Sequence, residues 1–150
     1  MIYTWAILSH VLAIIVCGYA FWRGGSVERY GAAIIAVSWI LSTFLQSNAG
    51  HGPGPVVVCI DVLTMLILLY YSERTRALWV ACCAAFTVLA VLTHVAFYTA
   101  RQMSLVAYIT AAGLFGGYCL LLPLFIRMIV LEWQRFTSRR SSRKSSKPNI

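Results

Sequence analysis

Few side chains in this sequence can do chemistry, and one of them is out of place. Of four acids, only Asp61 falls inside an apolar run, VCIDVLTMLILLYY at 58–71. The histidines are His10, His51 and His94. A carboxylate beside an imidazole in a low dielectric favours the charged ring, and each partner satisfies the other. Such a pair has three uses: it locks two helices together, it passes a proton or solute, or it belongs to a metal or haem site. Zinc wants three or four ligands, and the three His and one Asp show no local ligand spacing. Paired haem ligation would need His10 and His94 to face one gap. His51 reads as a loop residue. No phosphate loop, HExxH, GxSxG or GxGxxG is present. Ser9 beside His10 points about 100° away on a helix, which weakens that pairing of nucleophile and base. No cofactor and no catalytic residue is assigned.

The elements that must position these groups follow from composition. Of 150 residues, 61% are hydrophobic and 11% charged, and the mean hydropathy is +0.81. A soluble domain carries about 25% charged residues, so an integral membrane protein is expected. A spanning helix needs about 20 mostly apolar residues. Five segments qualify, at about 2–22, 31–47, 55–71, 77–98 and 105–130. The expected fold is all-α, a five-helix transmembrane bundle forming one domain over 1–131. Lipid-facing strands would have to close into a barrel, and alternation is missing. The first segment lacks a basic n-region and is expected to remain uncleaved.

Orientation follows from Lys and Arg. With the N-terminus outside, the inner connections carry Arg23 and Arg29, then Arg74 and Arg76. The tail side carries Arg127, Arg135, Arg139, Arg140, Arg143, Lys144 and Lys147, and only Arg101 is outside. Eleven against one is a positive-inside pattern. Tyr3, Trp5, Trp22, Tyr70, Tyr71, Trp79 and Trp133 sit near span ends, where amphipathic rings favour the headgroup level. RMIVLEWQRF, 127–136, is expected to extend the fifth helix along the interface, and segment 132–150 reads as a basic juxtamembrane stretch and a disordered cytoplasmic tail. The net charge of +8 is concentrated there. Arg135, Arg139, Arg140, Arg143, Lys144 and Lys147 are therefore expected at anionic lipid headgroups rather than on nucleic acid. Arg127 is expected to snorkel to headgroups, and Glu28–Arg29 and Glu73–Arg74 to pair on the surface. The five cysteines lie in apolar runs and read as packing residues.

With that topology, Asp61 lies about 9 Å in from the outer end of its helix, His94 about 6 Å and His10 about 12 Å. The third and fourth spans are joined by residues 72–76, so Asp61 and His94 fall at similar depth on neighbours. Two polar stripes fit an inward face: Ser38, Ser42 and Gln46, then Cys83, Thr87 and His94. Gly113 and Gly117 form a small-xxx-small step for close helix contact. Pro123 is expected to kink the fifth helix.

The stretches RGGSVERYGA, SERTRALW and LTHVA, with Asp61 between them, resemble a loosely defined set of small multi-spanning bacterial inner-membrane proteins. The resemblance covers about residues 20–120 and implies a bacterial cytoplasmic membrane, but no activity. The expected role is non-enzymatic, as an accessory subunit with a membrane-protein partner or a second copy. The alternatives are a small proton-linked or solute transporter using Asp61 and His94, and a haem- or metal-binding redox subunit. Five spans do not divide into the inverted repeats of many transporters.

Overall fold

A computed structural model describes residues 2–46, 54–100 and 104–145, with side chains described for 7–45, 54–100 and 104–138. The chain is all-helical, with no strand among these residues. Helix α1 is Ile2–Arg23, α2 Ser26–Gln46, α3 Pro55–Thr75 and α4 Leu78–Thr99. The last rod starts as α5, Leu105–Gly113. It widens through a π-helical turn, Leu114–Tyr118, and continues as α6, Cys119–Ser145. Among the described residues, three helices are long and apolar enough to cross a membrane: α3, α4 and the rod over Leu105–Ser138. In α1 the apolar stretch within the described side chains is Ile7–Arg23. Helix α2 begins earlier than its apolar run, with Glu28 and Arg29 in its first turns.

Local chemistry sets the ends. Pro55 opens α3, where its missing N–H costs nothing. Arg76 closes that helix in the left-handed region (φ 50°), and its N–H meets the Ser72 carbonyl at 2.8 Å. Ser104 caps α5, its hydroxyl accepting from the Ala107 N–H at 3.2 Å. Gly25 precedes α2, and the Glu28 carboxylate reaches back to its N–H at 3.0 Å, the return half of a capping box.

The helices pack in chain order, α1 on α2, α2 on α3, α3 on α4 and α4 on the last rod, and α6 returns to α1. Ile35, Leu68, Val80, Cys83, Leu124 and Met128 are fully buried at the centre. Outward faces carry Ile14, Leu63, Leu92 and Ile126, each more than half exposed. We call the end bearing connections 47–53 and 100–104 the upper end, and the end bearing the α1–α2 and α3–α4 turns the lower end.

Several expectations change here. The fifth helix, expected to run on past its span through RMIVLEWQRF, stays helical to Ser145, into the segment read as a disordered tail. Arg and Lys are good helix formers, and the Thr137 and Ser138 hydroxyls bond back to the Gln134 carbonyl at 3.0 and 2.9 Å. Pro123 lies inside α6, and the irregular winding sits ahead of it at 114–118. Gly113 and Gly117 do not form a shared contact step: Gly113 is exposed and Gly117 buried. A methyl group on Gly113 would meet open space, whereas one on Gly117 would meet Trp39 at 3.4 Å.

Candidate functional site: a three-residue hydrogen-bond chain

Asp61 sits on α3 six residues past Pro55, and His94 on α4 five residues before Thr99. The antiparallel packing of α3 on α4 brings them level. Asp61 Oδ2 lies 2.7 Å from His94 Nε2. The other ring nitrogen, Nδ1, lies 2.7 Å from the Tyr108 hydroxyl on α5. His94 is 2% exposed and Tyr108 4%, while the Asp61 side chain is 28% exposed. One carboxylate at the edge, one imidazole at the centre and one phenol behind it thus join three helices. The rings of His94 and Tyr108 are 5.6 Å apart at 49°, and Phe97 covers Tyr108 with centroids at 4.5 Å.

Sequence reasoning missed Tyr108. A tyrosine three residues into a span reads as an interface anchor. The usable signal was depth: 100–104 is a short connection, so the first turn of α5 must face the last turns of α4, where His94 lies. Cys83, Thr87 and His94 are all buried along one face of α4. The Thr87 hydroxyl donates to the Ala84 carbonyl at 2.7 Å, and Cys83 Sγ lies 3.4 Å from the Leu120 carbonyl. The other stripe behaves differently. Ser38 is buried and donates to the Ile35 carbonyl of its own helix at 2.9 Å. Ser42 is half-buried. The Gln46 side chain, His51, and the side chains of Arg139, Arg140, Arg143, Lys144 and Lys147 lie outside the described residues.

His10 is not brought to His94. Its Nε2 lies 3.2 Å from Thr43 Oγ1 on α2, and its ring is 5.3 Å from Trp39. The two line a side cleft of about 260 Å³ between α1 and α2. Trp39 is held from the other side, its indole N–H donating to the Gly116 carbonyl of the π turn at 3.1 Å. Both ring nitrogens of His94 are engaged, so neither offers a lone pair to a metal. No cluster of three or more His, Cys, Asp or Glu suited to a metal occurs among the described residues.

The lower end holds a second polar cluster that replaces the expected surface pairs. Glu28 is 5% exposed and turns from Arg29 to Arg127 on α6, at 2.9 Å. Arg127 therefore does not simply snorkel: α6 returning to the α1–α2 turn places a buried carboxylate within its reach. Arg23 bonds Glu132 at 3.1 and 3.2 Å. Arg135 bonds Glu132 at 2.8 Å and the Arg23 carbonyl at 2.6 Å, capping the end of α1. Glu73 and Arg74 stand exposed at the end of α3. Compared with known families, curated proteins and solved structures, the chain matches none.

Proposed function

We propose that the chain is a five-span, non-enzymatic protein of a bacterial cytoplasmic membrane, N-terminus outside and C-terminus inside, acting as an accessory subunit. The observation that carries this reading is the pairing of apolar outward faces with a satisfied polar interior. Ile14, Leu63, Leu92 and Ile126 face out, while each polar contact of His94 is met by another helix. A water-soluble bundle would invert that arrangement. In a bilayer, ionisable side chains are costly and face the bundle interior, as His94 does. The upper end is then the outer side. The lower end, with Arg23, Arg127 and Arg135, is the inner side, and the basic C-terminal segment meets anionic headgroups there.

As an accessory subunit, the bundle offers its lipid-exposed faces to a membrane-protein partner or a second copy, and the Asp61–His94–Tyr108 chain clamps α3, α4 and α5. A C-terminal reporter active only outside the cytoplasm should be silent, and the same reporter fused in the 47–53 loop should be active. The reverse pattern would sink the topology. Copurification of one fixed partner, or a stable homo-oligomer, supports the subunit role; a monodisperse monomer from native membranes overturns it.

A further inference from the structure

We propose that the side cleft between α1 and α2 binds the ring of a membrane-soluble quinone, with the Thr43 hydroxyl donating to one of its carbonyls. The inference rests on the membrane-embedded reading above and adds a ligand to it. Its basis is a polar pair on a face that otherwise looks to lipid. His10 and Thr43 are both exposed, and His10 Nε2 lies 3.2 Å from Thr43 Oγ1. The other described threonines, from Thr64 to Thr137, each donate to a carbonyl three or four residues back on their own helix. Thr43 turns to His10 instead. When Nε2 carries its hydrogen, the ring donates to Oγ1, and the Thr43 hydroxyl hydrogen is left for another acceptor. In hydrocarbon an unmade hydrogen bond is costly. A ligand that only accepts completes the bond and selects this tautomer.

The walls suit a flat ring. Ala13, Cys17 and Ile35 form a buried floor. Trp39 lines the cleft with its ring 5.3 Å from His10, and its indole N–H is held by the Gly116 carbonyl at 3.1 Å. An aromatic wall fixed in advance costs little further ordering when a ligand packs on it. Ile14 and Ile40, each more than half exposed, form the rim open to lipid. An apolar cavity of about 150 Å³ takes a benzene. The cleft measures about 260 Å³, so a substituted ring fits and its tail leaves through the open side. Depth argues against a phospholipid headgroup. His10 lies thirteen residues above Arg23, about 20 Å along the helix. With Arg23 at the inner boundary of a hydrocarbon core about 30 Å thick, the pair sits about 10 Å below the outer boundary. Glycerol ester carbonyls stay at that boundary. Quinone carbonyls are uncharged and carry no donor, so they enter hydrocarbon at far less cost than a charged headgroup.

The test uses the full chain in phosphatidylethanolamine–phosphatidylglycerol nanodiscs titrated with tritiated decylubiquinone, with empty nanodiscs giving the partition background. The wild type should add a saturable component of one quinone per chain. Thr43→Val keeps the volume and removes the hydroxyl; it should weaken binding about tenfold, the scale of one hydrogen bond. Thr43→Ser keeps the hydroxyl and should bind like the wild type. Ala36→Leu lengthens a lining side chain and should abolish the saturable component. Thr43→Val binding like the wild type overturns the proposal. Displacement by an equal concentration of decylbenzene, which has no carbonyl, assigns the cleft to acyl chains and overturns it too. So does the absence of saturable binding, including the case in which a stable dimer puts a second copy in the cleft. Flotation after an alkaline wash separates the two readings: protein that fails to float refutes the membrane assignment, whereas protein that floats but does not bind refutes the site alone.

Discussion

Tyr108→Phe removes one oxygen and leaves almost everything else in place. The ring still packs on Phe97, so little apolar contact is lost. What changes is the partner of His94 Nδ1, in a ring that is only 2% exposed. Interhelical hydrogen bonds in membranes average about 0.6 kcal/mol, because the unfolded reference also finds partners. Stranding a buried polar group costs more, about 1–3 kcal/mol. The 2.7 Å contact and the depth of His94 place this variant in the second range. A loss of about 2 kcal/mol lowers the folded-to-unfolded ratio roughly thirtyfold. Equilibrium unfolding in mixed micelles titrated with denaturing detergent, followed by tryptophan fluorescence, reads this directly. Asp61→Leu should cost a similar amount, since it strands Nε2. The triple variant Asp61→Leu, His94→Leu, Tyr108→Phe should recover most of the loss, because removing all the partners together leaves no polar group stranded. If Tyr108→Phe lies within about 0.5 kcal/mol of the wild type, the scatter of an ordinary surface change, the hydrogen bond contributes nothing and the reasoning fails.

Gly31→Ala should destabilise by about 1–3 kcal/mol through overpacking, since a methyl group there collides with the Trp79 ring; Trp79→Leu should relieve it, read by the same unfolding assay. Glu28→Ala should cost about 1–3 kcal/mol, because it strands Arg127 and the Gly25 N–H. Arg76→Gly should gain about 1 kcal/mol by removing a side chain from a left-handed position, visible as a raised unfolding midpoint.

The parts of this fold legible in the sequence were those set by local pattern and depth. Apolar runs marked the helices, and the short α3–α4 connection placed Asp61 and His94 level, because antiparallel neighbours of equal rise must match in depth. Tyr108 needed one more step, since a tyrosine near a helix end already has a sufficient explanation as an anchor. The Glu28–Arg127 pair joins residues 99 apart in the chain. It depends on how α6 closes against the α1–α2 turn, which no local pattern encodes. The π turn was hidden for a similar reason: nothing local in LFGGY marks where the winding widens. Trp39, reaching the Gly116 carbonyl from α2, holds the turn where it departs from regular winding.

The most direct test of the Asp61–His94–Tyr108 chain is solid-state NMR of ring-nitrogen-labelled His94 in lipid bilayers, in a chain with His10 and His51 replaced by glutamine. Both ring nitrogens should show the resonances of hydrogen-bonded positions. Asp61→Asn should move the Nε2 resonance and Tyr108→Phe the Nδ1 resonance. A ring whose two nitrogens ignore both substitutions would contradict the chain, and with it the clamp.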